Sequence, residues 1–372
     1  MAEKKKQHYV SRFYLKNFSS HEGKSINLFN IPCRRIILNG NLKNQCYRSY
    51  LYGKDGKVET LLQNIEGRAA LIIRDIIHRR HLPRPQTEKH FELLSIVILQ
   101  WGRTLAAGAG LNEVVDQLYQ HILKEQFAVF AQQRGIAREH LEGSTLGYDE
   151  PERVSVSLAV QAIPAAMDLG FKVLERKTSV EFITSDNPVL LYNQFGHGRV
   201  PGSSTGFCSQ GIQIFLPLSK DLTLLIYDSS TYKVGDRRQH FVSINERDVR
   251  TLNLLQAIIA RENLYFASAS AESEVRCTAR RALAKRDISQ SGLRVVHQTK
   301  TAQVIHSYRK DVNNQVKFGF NKLLRDSAVA LNGHVPFRRH AQQGSSESSE
   351  AFYAGRTSFV NLSEEGGFPR RI

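Results

Sequence analysis

Cysteine is scarce and scattered in this chain. Its four cysteines, Cys33, Cys46, Cys208 and Cys277, include no Cys-x-x-Cys pair, which argues against a zinc ribbon or a disulfide framework and fits a reducing compartment. Long apolar runs are also missing. Stretches such as Ile96 to Leu99 fall well short of the roughly 20 residues that span a bilayer, so no membrane association is expected. The basic start, Met1-Ala-Glu-Lys-Lys-Lys, meets His8, Arg12 and Lys16 where a secretory signal needs an apolar stretch; a cytoplasmic location is expected. The two Gly-rich runs, 102–110 and 196–211, lack both the Gly-Lys-Thr ending of a phosphate loop and a strand-Gly-x-Gly-x-x-Gly-helix setting, which speaks against nucleotide cradling by either.

Acidic residues are the remaining shortage. Fifty-one Lys and Arg stand against thirty-five Asp and Glu, a formal charge of +16 that favours polyanions, nucleic acid first among them. The competing reading is a spread basic surface with no dedicated ligand. Arg276, Arg280, Arg281, Lys285 and Arg286 follow Glu272 and Glu274 on one predicted helix, an acid-first, base-last order that suits the helix dipole. Arg280 and Arg281, with Arg12, are the candidate anion or nucleic-acid contacts. His78 and His81 lie one helical turn apart, but flanking arginines repel a dication, so a solvated basic patch is the better reading.

What is present reads as α+β: a central helical bundle packed with a largely antiparallel sheet, plus a less ordered C-terminal tail. Residues 8–58 alternate β-favouring pieces with the turns Asn39-Gly40 and Asp55-Gly56. From Glu59 the apolar residues Leu62, Ile65, Ala69, Ile72, Ile73 and Ile76 recur at helical spacing until Pro83. A second helix, capped by Thr87 and ending at Trp101, is apolar on nearly every side and therefore buried. A third spans about 112–134, and a fourth follows Pro151 with a kink at Pro164. Phe171–Leu174 and Val180–Thr184 read as a hairpin, Ile212–Leu216 and Thr223–Tyr227 as strands, and Ser243-Ile-Asn-Glu246 as a capping box opening a helix to about Ala260. The main domain is placed at 1–286, with 287–372 as a C-terminal extension whose stretch 342–350, rich in Ser, Gln and Glu, reads as a disordered linker.

Four stretches in order carry a family resemblance: His8-Tyr-Val-Ser-Arg-Phe-Tyr-Leu-Lys-Asn-Phe18, Glu59-Thr-Leu-Leu-Gln-Asn-Ile-Glu66, Gln100-Trp-Gly-Arg-Thr104, and Thr184-Ser-Asp-Asn-Pro188 followed by Pro217-Leu-Ser219. Together they resemble an uncharacterised bacterial family, domain of unknown function 4238, over roughly residues 6 to 268. Ser11 stands where that family usually has Pro, and Leu105 where Pro commonly follows the Arg-Thr pair. The resemblance implies no activity.

The residues themselves lead to the same positions. Arg103 closes a helix with apolar flanks, so its guanidinium needs a carboxylate or several carbonyls, and Gln100 projects from the same face one turn earlier. Glu66 and Glu59 share a stripe at the border of the first helix's apolar face, Asp186 ends a strand, and His8 is the one histidine of thirteen inside a matched motif. Two explanations compete. In the first, His8, Glu66, Arg103 and Asp186 form a catalytic site: His8 as general acid or base, Asp186 or Glu66 orienting it or holding a divalent metal, Arg103 binding phosphate. In the second, Arg103 with Glu66 or Asp186 is a structural ion pair, and Asp186 and Asn187 form an Asx turn. No cofactor is indicated. The chain is thus expected to act on or bind nucleic acid or nucleotides, as a hydrolase with this site or, alternatively, as a non-enzymatic binding or interaction module.

Overall fold

The computed structural model describes residues 5–135, 143–200, 202–287, 291–298, 303–312, 314–324, 331 and 335–338. The architecture is α+β. A short N-terminal helix, α1 (Arg12–Leu15), precedes the long α2 (Lys57–Arg79). α3 (Glu88–Gly102) begins where the Thr87 hydroxyl accepts from the His90 amide at 3.4 Å, and α4 (Leu105–Leu118) where Thr104 accepts from Ala107 at 3.2 Å. α5 (Lys124–Gln133) continues α4 through one π-helical turn, and α6 (Pro151–Ala162) runs into a 3₁₀ turn at Ile163–Ala166, where Pro164 cannot continue the α-helical ladder. Two further helices, α7 (Glu246–Ile259) and α8 (Glu272–Leu283), complete the set among the described residues.

A five-stranded sheet divides the core. Its order is Phe241–Ile244, Gly170–Arg176, Leu222–Tyr227, Gln213–Pro217, Leu190–Tyr192, antiparallel except for the first pair. Strand alternation sends Leu224 and Ile226 into a core shared with α2, α3, α6 and the N-terminal residues Tyr9, Val10 and Leu15. Leu225 and Tyr227 enter a second core with Leu252 and Leu255 of α7 and with Phe318. A second sheet, wholly antiparallel, joins Ser25–Asn30, flanked by Ser19–Ser20 and Arg35–Asn41, to Asn263–Phe266 and Thr184–Ser185.

Three local expectations are corrected. The predicted hairpin does not form: Gly170–Arg176 pairs with Leu222–Tyr227 and Phe241–Ile244, while Thr184–Ser185 crosses to the other sheet against Leu264 and Tyr265. The third helix starts at Leu105 rather than near Asn112 and takes in Gly108 and Gly110; a Cβ at Gly102, the last residue of α3, would collide with Ala159 of α6, and one at Gly108 with the Glu152 side chain, so these two glycines let α6 approach. α7 is capped by Asn245, whose side chain accepts from the Asp248 amide at 2.9 Å, while Ser243 lies exposed in the preceding strand.

The described residues beyond Asp287 pack against the body. A hairpin of Ser291–Gln298 and Gln303–Arg309 meets α4 through Ser291, whose hydroxyl donates to the Gly110 carbonyl at 3.2 Å. Asn321–Leu323 pairs with Tyr232–Val234, and buried Arg338 chelates Asp168 at 2.8 and 2.9 Å. The predicted linker 342–350 lies outside the described residues. Among the described residues no single helix is long and apolar enough to cross a membrane.

Candidate functional site

Arg103 sits at the C-terminal end of α3, and its side chain is 1% exposed. Such a guanidinium must spend its donors on protein acceptors. Nη1 donates to the Ser11 hydroxyl at 3.0 Å and to Glu66; Nη2 donates to the His8 carbonyl; Nε donates to the Tyr52 hydroxyl at 3.4 Å. Ser11 completes a triangle by donating to Glu66 Oε1 at 2.7 Å, and Tyr52 returns a bond to the Arg103 carbonyl at 2.9 Å. Gln100 extends the network, donating to the Tyr9 carbonyl at 2.9 Å and receiving the Ser11 amide at 3.4 Å. Burial works against the charged guanidinium, but Tyr52 and Glu66 outweigh it and raise its pKa above the ordinary arginine value. The cluster thus clasps the N-terminal segment to α2 and α3.

His8 belongs to this cluster through its backbone. Its ring packs 5.8 Å from the Tyr47 ring, and its Nε2 is buried without a hydrogen-bond partner among the described residues. Burial lowers its pKa below the ordinary histidine value; Arg12 and Arg103 push the same way, against a backbone hydrogen bond at Lys43 and the charge of Glu66. Arg12 itself is exposed.

Asp186 is elsewhere. Its carboxylate accepts the backbone amides of Arg261 at 2.9 Å and Glu262 at 2.6 Å, tying the Thr184–Ser185 strand to the turn after α7. Burial raises its pKa to about 6, although both amides oppose the shift. Its motif neighbours are engaged as well. Thr184 bonds Tyr14 at 2.6 Å, Ser185 receives Gln256 at 2.6 Å, and Asn187 donates to the Ile259 carbonyl at 3.0 Å while its oxygen faces Thr104 at 3.4 Å. Thr-Ser-Asp-Asn is therefore a junction of the N-terminal segment, the α3–α4 corner and the end of α7.

The structure brings His8, Glu66 and Arg103 together and puts Asp186 in a separate hydrogen-bonded knot. Of Arg103's two favoured partners, Glu66 is the one engaged. Arg280 and Arg281 project from the last turn of α8 and are exposed, with no carboxylate partner among the described residues. The helix's other arginine, Arg276, pairs with Glu272 at 2.8 Å, and Arg286, just past the helix, caps α7 through the carbonyls of Ala257 and Ala260 at 2.8 and 2.5 Å. At the end of α2, Arg79 pairs with Asp75 and Arg80 with Glu175. Among the described residues no group of three or more His, Cys, Asp or Glu is placed to hold a metal ion. Ser11 and Tyr52 were not singled out for any role by sequence; the signal for Ser11 was its place in the first motif, for Tyr52 there was none.

No curated protein and no solved structure matches the chain. Residues 6–270 match the family described as protein of unknown function (DUF4238), a stretch that contains the Arg103 cluster, the Asp186 junction and the five-stranded sheet, and the chain belongs to that family.

Proposed function

We propose that this protein binds nucleic acid non-enzymatically through its basic surface, with the Arg103 cluster as scaffold rather than reactive centre. The observation that carries the reading is the pair Arg280 and Arg281, exposed and without a carboxylate partner among the described residues, on a helix whose third arginine, Arg276, is paired with Glu272. Unpaired guanidiniums on a chain of net charge +16 release phosphate counterions on binding, which supplies affinity without sequence preference. A hydrolytic role for His8, Glu66 and Arg103 fits less well. Four of Arg103's hydrogen bonds already go to protein, leaving its fork occupied where a substrate phosphate would dock.

Filter binding of duplex DNA across a salt series tests the reading. Affinity should fall steeply and linearly on logarithmic axes, and Arg280→Ala with Arg281→Ala should reduce the slope by about 2, close to 0.9 for each phosphate no longer neutralised. An unchanged slope in the double variant, or no retention at low salt, would refute it.

A further inference from the structure

Arg309, Lys310, Asp311 and Val312 form one wall of a partly open cavity of about 70 Å³ that neither the Arg103 cluster nor the α8 face shares. One water needs about 10–15 Å³ by the same measure, so the space admits a small molecule. Trp101 from α3, Val189 and Leu191 from the sheet edge, and Ile258 from α7 form apolar walls, and Arg309 from the hairpin closes them. The Arg309 guanidinium lies 5.7 Å from the centre of the Trp101 ring. No carboxylate or carbonyl of a described residue accepts its donors.

Two carboxylates, Asp287 and Asp311, also line the cavity, and both are engaged by other groups. Asp311 accepts from the hydroxyls of Ser203, Ser204 and Thr205 and from the Ser204 amide at 2.5–3.1 Å, and Asp287 faces Lys310 at 3.6 Å. Burial, and after it the charge of Arg261, pulls the Arg309 pKa down to about 10, so the group stays cationic at neutral pH, and among the described residues no carboxylate pairs with it. Arg309 is half-buried, and a guanidinium that faces a cavity with apolar walls is a receptor for an anion. One planar fork between apolar walls matches one carboxylate held through two parallel hydrogen bonds, with a short hydrocarbon body beside it. The other cation on the lining, Lys310, is held by Asp287 at 3.6 Å, and the two aspartates repel a phosphate dianion more than a monoanion.

We infer that this cavity is a binding site for a small aliphatic monocarboxylate, its carboxylate on the Arg309 fork and its body against Trp101, Val189 and Ile258. The site is separate from the nucleic-acid surface and does not depend on it. Arg309 lies beyond the family stretch of residues 6–270 and the apolar walls lie within it, so bound ligand joins the two parts and should stabilise their contact.

Trp101 is the single tryptophan of the chain, so its emission reports on this cavity alone. The full chain should be titrated with acetate, butyrate and isovalerate at constant ionic strength and pH 7, with inorganic phosphate and chloride as comparison anions, following emission and melting temperature. Butyrate or isovalerate should produce a saturable emission change and a rise in Tm, at concentrations at least tenfold below acetate or phosphate. Arg309→Met should weaken binding at least tenfold; Arg309→Lys, which keeps the charge and loses the fork, should also weaken it and decides the matter if the methionine variant folds poorly. Absence of a saturable response in both readouts, equal affinity in the lysine variant, or phosphate binding tighter than every carboxylate would overturn the inference.

Discussion

At the scale of single residues, the two halves of the Arg103–Glu66 pair are not equally exposed, and this asymmetry decides what their removal costs. Arg103 is 1% exposed and Glu66 21%. Glu66→Ala strands a fully buried cation and should destabilise by about 3–5 kcal/mol; Arg103→Ala leaves a carboxylate that water can reach and should cost less, about 2–3 kcal/mol. Urea melts of the two variants check the order, and equal or reversed losses would contradict it. Asp186 makes a different prediction, one that depends on pH. Its folded pKa, about 6, is raised above the ordinary 3.8, so the native state holds the proton where the unfolded chain has lost it. The stability this contributes is fully present below about pH 4 and is lost as pH rises through 6. At about 1.4 kcal/mol per pKa unit the loss is about 3 kcal/mol. Melts of the parent and Asp186→Asn at pH 4 to 7 should diverge by that amount; parallel curves would rule the shift out. The need for a partner at Arg103 was legible in the sequence, because a charge at the end of an all-apolar helix admits no other solution. Which carboxylate answers it was not, since that depends on how α2 rotates against α3. Ser11 stood in the sequence only as a departure from the family's usual Pro, and only the fold reveals its hydroxyl between Glu66 and Arg103.

At the scale of elements, helices were read well where apolar periodicity and a cap coincided, as for α3 behind Thr87, and poorly where a motif had two frames. Ser243 and Glu246 have the spacing of a capping box, yet Asn245, one residue before the helix, is the cap. The strand Phe241–Ile244 takes Ser243 into its parallel pairing with Glu175 and so removes it from the helix start. Asn245→Ala should therefore destabilise by about 1 kcal/mol and Ser243→Ala by less than about 0.5, as thermal melts would measure. A larger loss for Ser243→Ala would restore the capping box. The failed hairpin has a similar cause. Both segments are apolar enough for a strand, but pairing partners in a sheet are set by long-range register, which local pattern does not encode.

At the scale of the whole molecule, the strand Leu222–Tyr227 is buried at every residue, and a strand apolar on both faces needs cover on both. The helices α2, α3 and α6 cover one face. On the other, α7 is joined by Phe318, 4% exposed, whose ring lies 5.4 Å from Phe215 and 5.7 Å from Tyr192. Val316 exchanges hydrogen bonds with the Tyr192 hydroxyl at 2.7 and 3.1 Å, and Arg338 neutralises Asp168. These contacts come from beyond residue 286, in sequence with too little periodicity to announce a role in the core. Exposing a buried phenylalanine costs about 1.5–3 kcal/mol, and opening the buried Arg338 pair adds to it. The sum is a large share of the roughly 5–15 kcal/mol that holds a domain together. A chain cut after residue 286 should therefore melt at least 10 °C lower than the full chain or lose its cooperative transition. Calorimetry of the truncated and full chains distinguishes a segment that completes the core from an appendage: full-length stability in the 1–286 chain would show that the second face of the sheet stands without Phe318.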